Sequence, residues 1–97
     1  MNDDEQAPAP TPTVLAEAKV ITSGARNRDY GTPQENHDCT ATMWNAYLQR
    51  KPEGYKLTAQ DVCAFNILQK MSRQAHHPKR DNWVDVAGFA ANAGECQ

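Results

Sequence analysis

The stretch TPQE, residues 32–35, constrains the fold most, because it combines several signals for the start of a helix. The threonine hydroxyl can accept a hydrogen bond from a backbone N–H, and the glutamate can bond back to the threonine N–H. Proline at the first helical position loses no hydrogen bond, and Gly31 can take a positive φ. We therefore predict a helix over residues 33–50. The proline and the glycine within residues 51–55 end this helix.

A similar stretch, TAQD at residues 58–61, predicts the start of a further helix. Aspartate is shorter than glutamate, so we expect its bond back to the threonine N–H to be weaker. Apolar residues recur after it at the spacing of a helix, and we expect this stripe to be buried. Its members are Val62, Phe65, Leu68 and Met71, with Ile67 beside them.

Two more helices are predicted, one on each side of this pair. Residues 13–23 place apolar side chains at helical spacing before Gly24, and a last helix follows Pro78 and reaches about residue 95. No stretch alternates apolar and polar residues as a half-buried strand does. Four helices with short connectors predict an all-α, compact antiparallel bundle, with residues 13–97 as a single helical domain.

The composition of the chain predicts a disordered N-terminal tail and self-association. Residues 1–12 are acidic and then alternate proline with alanine, which predicts a disordered tail. In the 97-residue chain, 39% of residues are hydrophobic and the mean hydropathy is -0.80. A domain of this size buries only about 60–65% of its unfolded surface. We therefore expect a homo-oligomer.

Charge and cysteine content exclude several classes of protein. Ten basic and twelve acidic residues give a net charge of -2, whereas general nucleic-acid binders are usually basic. No apolar run approaches the roughly 20 residues that span a bilayer, and no secretory signal is evident. Three cysteines without a CxxC pair are typical of free thiols in a reducing compartment. We expect a protein of the cytoplasm that binds neither membranes nor nucleic acids in general.

Four acidic residues form two pairs, and each pair is separated by one helical turn. Glu35 and Asp38 share a face of one predicted helix, and Asp81 and Asp85 share a face of the last. Mg²⁺ prefers oxygen ligands and usually keeps waters that substrate phosphates can replace. We predict these four carboxylates as Mg²⁺ ligands. A solvated polar face and favourable acids near helix N-termini are the open alternative.

Basic and aromatic residues near the predicted helix ends could bind a nucleotide. The arginine fork and the lysine point charge suit phosphates, and an aromatic ring can stack on a base. Ordinary surface charge is the alternative for the basic residues, and a core or interface position is the alternative for the tryptophan. The predicted phosphate- and nucleotide-binding residues are Arg28, Tyr30, Lys70, Arg73, Lys79, Arg80 and Trp83.

The order of segments resembles a small family of phage and prophage proteins. The most specific parts of the resemblance are RNRDYG and KRDNWVDVAGFA, and it covers the chain from about Val14 to Cys96. It implies an all-α protein that acts in the cytoplasm of a bacterial host.

A more distant similarity is to the all-α nucleoside triphosphate pyrophosphohydrolases of the MazG type. Their pattern has ExxE on one helix and ExxD on a later one, and the nearest matches are Glu35-x-x-Asp38 and Asp81-x-x-x-Asp85. The first match has a shorter second acid, and the second has one more residue between its acids. The resemblance implies Mg²⁺ binding, cleavage between the alpha and beta phosphates, and oligomerisation.

Two functions follow as hypotheses. The first is a phage-encoded, nucleotide-binding helical protein that acts as a Mg²⁺-dependent nucleoside triphosphate pyrophosphohydrolase. The alternative is a non-catalytic phage protein that sequesters a host nucleotide signal or inhibits a host defence protein. Arg28, Tyr30 and Trp83 would then provide contacts.

Overall fold

The computed structural model describes residues 13–22, 28 and 30–96, and this part of the chain contains α-helices and no strand. The predicted all-α class is therefore confirmed. The predicted tail and Gly24 as a helix stop lie outside the described residues. Four helices lie wholly within them: α1 (Val14–Ile21), α2 (Pro33–Leu48), α3 (Ala59–His76) and α4 (Arg80–Glu95).

The start of α2 confirms the predicted cap. The Thr32 hydroxyl accepts from the Glu35 N–H at 3.2 Å, and the Thr32 N–H donates to the Glu35 carboxylate at 3.4 Å. Gly31 has a φ of 81°, as its place before the cap predicted. A Cβ on Gly31 would also lie 3.6 Å from Cε1 of His76, so the turn brings the start of α2 against the end of α3.

Replacing Thr32 with alanine is expected to lower the free energy of unfolding by about 1 kcal/mol, because the first turn of α2 loses its cap. Urea denaturation measures this change. Thr42→Ala is the matched control, since the exposed Thr42 hydroxyl bonds only to a carbonyl of the preceding turn, that of Asp38, at 2.9 Å. Equal losses in the two variants would contradict the role of the cap.

Helix α3 is the centre of the fold, because it packs against both α2 and α4, whereas α2 and α4 share no extensive contact. The indole N–H of Trp44 in α2 donates to the Phe65 carbonyl in α3 at 2.9 Å. The side chain of Gln60, at the start of α3, donates to the carbonyls of Ala93 and Cys96 at the end of α4. Both neighbours therefore run antiparallel to α3.

The buried face of α3 is not the predicted stripe. Phe65 is buried as predicted, but Leu68 and Met71 are only partly covered and Val62 is 53% exposed. The reason is geometric: Asp61 and Phe65 face α2, and residue 62 lies about 100° further round the helix than residue 61. Burial of Val62 is therefore a wrong prediction.

Helix α1 stands apart from this packing, since it contributes no buried residue. Val14 is 85% exposed and Leu15 is 78% exposed. The antiparallel bundle packing of all four helices and the oligomeric state therefore stay predictions. None of the helices among the described residues is both long enough and apolar enough to cross a bilayer.

Candidate functional site

Three of the predicted nucleotide-binding residues meet around the ring of Tyr30. The guanidinium carbon of Arg73 lies 4.6 Å from the ring centroid, and Nζ of Lys79 lies 5.8 Å from it. These distances are within the range of cation–π attraction. Tyr30 precedes α2, Arg73 is in the last turns of α3 and Lys79 is in the connector to α4. Arg73 and Lys79 follow Tyr30 by 43 and 49 positions in the sequence, and the antiparallel pairing of α2 and α3 brings them to its ring.

His76 adds a third nitrogen-bearing side chain to this place. It lies one turn after Arg73 on α3 and next to Gly31, and it is exposed. We call Tyr30, Arg73, His76 and Lys79 the Tyr30 corner. The capped N-terminus of α2 begins beside it, and a helix N-terminus has a partial positive charge. The corner therefore combines two permanent cations, an imidazole and an aromatic face.

Among the described residues, the acid Glu35 lies close to the Tyr30 corner. The Glu35 carboxylate accepts hydrogen bonds from the hydroxyl and the N–H of Thr32, at 2.8 and 3.4 Å. These bonds lower the pKa of Glu35, and attraction to His76 lowers it further. Glu35 is therefore ionised at neutral pH, and its negative charge is held at the cap of α2.

In the part of the chain that the structure describes, two buried side-chain atoms near the α2–α3 contact have no hydrogen-bond partner. They are Nε of Arg73, a donor, and Oδ1 of Asn36, an acceptor in the first turn of α2. Asn36 is only 8% exposed. A buried polar atom without a partner costs stability, so each of these atoms would gain from a ligand that supplied the missing bond.

The remaining predicted nucleotide-binding residues are placed differently. Lys70 forms an ion pair with Asp85, at 2.9 Å between Nζ and Oδ2, and this pair joins α3 to α4. Arg28 and Arg80 are exposed, and Trp83 is 51% exposed. Their assignments stay predictions, and only Tyr30, Arg73 and Lys79 are brought together by the fold.

The four carboxylates predicted to bind Mg²⁺ do not gather in one chain. Glu35 caps α2, Asp38 accepts from the Gln34 amide at 2.8 Å, and Asp85 pairs with Lys70. Asp81 is exposed in the first turn of α4. Among the residues that the structure describes, no three or more His, Cys, Asp or Glu side chains are grouped to hold a metal ion. This donor set does not fit a shared Mg²⁺ in a single chain, and the metal assignment stays a prediction.

Asp61 is the most extensively bonded acid of the described residues, and its sequence context predicted only a helix cap. It is 2% exposed, and its carboxylate accepts from the hydroxyls of Tyr47 and Tyr55 at 2.5 Å each. The Thr58 N–H donates to it at 2.9 Å, which is shorter than the corresponding 3.4 Å bond of Glu35. The expectation that aspartate caps more weakly is therefore wrong, because the two tyrosines hold its carboxylate in place.

Lys51 completes this arrangement, which we call the Asp61 cluster: Tyr47, Lys51, Tyr55, Thr58 and Asp61. The Lys51 ammonium lies 3.6 Å from the Asp61 carboxylate, and it lies over the ring of Tyr55, 4.6 Å from the centroid. Hydrogen bonds from the two tyrosines hold the pKa of Asp61 well below its usual range. The bond to Asp61 raises the pKa of Tyr47.

The Asp61 cluster is a structural site rather than a reactive one. The Thr58 hydroxyl also donates to Asp61, at 3.0 Å, and an ionised carboxylate that accepts these four hydrogen bonds has little capacity left to bind a metal or remove a proton. Its bonds join the end of α2, the following connector and the start of α3. The sequence did contain a signal for this cluster: two tyrosines and a lysine, in and just before KPEGY, precede the TAQD cap.

Comparisons with known proteins identify the family. Residues 13–97 match the family model described as "Domain of unknown function (DUF6378)". The chain belongs to this family. This DUF6378 chain is 38% identical over 81 residues to the "Gene 55 protein" of Mycobacterium phage L5, a match covering 80% of the chain and 48% of that relative. It is 33% identical over 81 residues to the "Gene 55 protein" of Mycobacterium phage D29, covering 80% of the chain and 49% of that relative.

The relatives confirm the resemblance to a small family of phage proteins. The chain spans about half the length of these curated relatives. No solved structure matches it significantly. The more distant resemblance to MazG-type enzymes stays a prediction.

Proposed function

We propose that this phage DUF6378 protein binds a phosphorylated nucleotide at the Tyr30 corner without hydrolysing it. The observation that supports this function best is the placement of Arg73 and Lys79 on the ring of Tyr30. Sequestration of a host nucleotide signal in the cytoplasm of the bacterial host is the role that this chemistry suits.

Each part of the Tyr30 corner has a place in such binding. The arginine fork can form paired hydrogen bonds to a phosphate, and lysine adds a point charge. The Nε of Arg73 is buried without a partner, so a rotation of this side chain that let a phosphate oxygen reach Nε would also remove the cost of that unmade bond. Arg73 lies over the tyrosine ring, so a base would stack against this pair, a contact of about 1–3 kcal/mol.

Binding is favoured over hydrolysis because the acids predicted to bind Mg²⁺ have other partners. Asp85 is neutralised by Lys70, and Glu35 is bonded to Thr32. A pyrophosphohydrolase of the predicted kind would need these carboxylates to converge on a metal and its bound water. The Mg²⁺-dependent enzyme is therefore the less supported of the two hypotheses.

Isothermal titration calorimetry tests the proposal on the full chain with nucleoside triphosphates and cyclic dinucleotides, each with and without Mg²⁺. We expect one class to bind, and we expect Arg73→Gln and Lys79→Gln to weaken that binding at least about tenfold, because each removes a charge-assisted hydrogen bond. Lys56→Gln is the matched control, since Lys56 is exposed near the opposite end of α3. It should bind like the unmodified chain.

Two results would contradict the proposal. Pyrophosphate release that requires Mg²⁺ and disappears in Asp85→Asn would establish the enzyme instead. Absence of binding to every nucleotide of the panel would exclude a nucleotide function, and inhibition of a host defence protein would become the leading hypothesis. Circular dichroism of each variant checks that a loss of binding is not a loss of fold.

A further inference from the structure

The cysteines of this chain divide into a pair and a single residue. Cys63 is buried in the second turn of α3, and Cys96 is half-buried immediately after α4. Cys39 is exposed on α2, a helix that shares no extensive contact with α4. All three are free thiols, and none of them belongs to the Tyr30 corner or the Asp61 cluster.

Hydrogen bonds fix the backbone of Cys96 beside the start of α3. The side-chain amide of Gln60 donates to the Ala93 carbonyl at 3.0 Å and to the Cys96 carbonyl at 3.2 Å. The Cys96 N–H donates to the same Ala93 carbonyl at 3.2 Å, so this residue stays close to the end of α4. Cys63 follows Gln60 by one helical turn on the same face of α3. The fold therefore brings Cys96 to the part of α3 that carries Cys63.

The two thiols are near enough to influence each other. Burial raises the pKa of the Cys63 thiol, and its charge interaction and hydrogen bond with the Cys96 thiol raise that pKa further. A hydrogen bond acts only at short range, so the two sulfur atoms are neighbours. Cys63 is therefore protonated at neutral pH. Cys96 is the more exposed of the two, and a dissolved oxidant reaches it first.

We propose that Cys63 and Cys96 form an intramolecular disulfide when the protein meets a peroxide, and that this bond is a reversible modification joining α3 to α4. The Cys96 sulfur attacks one oxygen of hydrogen peroxide, which gives a sulfenic acid and one water. The Cys63 sulfur then attacks the sulfenic sulfur, and the S–S bond forms. The leaving hydroxide takes the Cys63 proton and becomes the second water. The two thiols thus lose two electrons, which reduce the peroxide.

The disulfide would tie together two segments that now meet only through weak contacts at this end of the molecule. It closes a loop of about 30 residues, and such a cross-link reduces the freedom of the unfolded chain. We expect the oxidised chain to unfold at a temperature higher by on the order of 10 °C. A small dithiol should reverse this shift by thiol–disulfide exchange. The modification is independent of the proposed nucleotide site.

Alkylation in denaturant, followed by mass spectrometry, tests the modification on the full chain. After hydrogen peroxide treatment, we expect one of the three cysteines to take up iodoacetamide, and we expect a peptide that contains Cys63 linked to Cys96. Cys39→Ser is the matched control, and it should form the same disulfide and show the same rise in the unfolding temperature. Cys96→Ser should keep Cys63 as a free thiol and show no rise.

A second variant tests the order of the two steps. In Cys63→Ala the sulfenic acid of Cys96 has no neighbouring thiol, so dimedone should label Cys96, while circular dichroism checks that the helices are retained. Three alkylated cysteines after peroxide treatment of the unmodified chain would overturn the proposal. A disulfide that involves Cys39 or that links two chains would overturn it equally, as would oxidised and reduced chains that unfold at the same temperature.

Discussion

Replacing Asp61 with asparagine is expected to lower the thermal unfolding midpoint by at least on the order of 10 °C. Asparagine is uncharged, so the bonds from Tyr47 and Tyr55 lose their charge-assisted character. Its amide group also places a donor where the carboxylate had a second acceptor, and Lys51 loses its counter-charge. Differential scanning calorimetry measures the midpoint.

The matched control for this prediction is Asp81→Asn. Asp81 is also an acid in the first turn of a helix, but it is exposed. Its replacement removes the same charge and the same interaction with a helix N-terminus, so the midpoint should fall by only a few °C. Equal shifts in the two variants would show that burial and the tyrosine bonds do not stabilise the fold.

The Asp61 cluster also predicts a dependence of stability on pH. Because the folded state lowers the pKa of Asp61, the carboxylate stabilises the fold fully above its unfolded pKa of about 3.9. That stabilisation is lost as the pH falls below this value toward the folded pKa. Urea denaturation at a series of acidic pH values should show a steeper loss for the unmodified chain than for Asp61→Asn. Parallel curves would contradict this assignment.

Replacing Phe65 with alanine is expected to cost about 3–5 kcal/mol of unfolding free energy. The Trp44 ring stacks on Phe65 with centroids 4.7 Å apart, and the Tyr47 ring meets its edge at 5.6 Å. Since small domains have a total stability of about 5–15 kcal/mol, the variant should be close to unfolding. Urea denaturation followed by tryptophan fluorescence measures the loss.

Val62→Ala is the control for this second variant, and it distinguishes the predicted stripe from the observed face. Val62 is on the same helix but is 53% exposed, so its truncation should cost less than about 1 kcal/mol. If Val62→Ala were as destabilising as Phe65→Ala, then α3 would bury a different face in solution. That result would support the prediction that the apolar stripe of α3 is buried.

The helices could be predicted from the sequence because their start signals are local. The caps at Thr32 and Thr58 use side chains three residues away, and both are present in the structure. The face that α3 buries could not be predicted from apolar spacing, because its most buried residue, Asp61, is polar. The partners of Asp61 come from the end of α2 and from the connector, and only the tertiary fold brings them to it.

The candidate site shows the same division between local and tertiary information. Tyr30, Arg73 and Lys79 were predicted by residue type, and the antiparallel pairing of α2 with α3 brings them together. The pairing of Lys70 with Asp85 was not predicted, because helical spacing groups residues of one helix but does not say which residues of two helices meet. The four predicted metal ligands failed to gather for this reason.

The polar character of the α2–α3 contact bears on how the chain selects one alignment of these helices. Asn36, Thr40, Asp61 and Ser72 are buried at or near this contact, whereas apolar side chains of similar size would tolerate several alignments. Sliding α2 by one turn, about 5.4 Å, would separate Tyr47 from Asp61 and remove one charge-assisted hydrogen bond from a buried carboxylate. The Tyr47–Asp61 bond therefore adds its own penalty for misaligned packings to that of the small apolar core, and the polar contact contributes to which residues reach the Tyr30 corner.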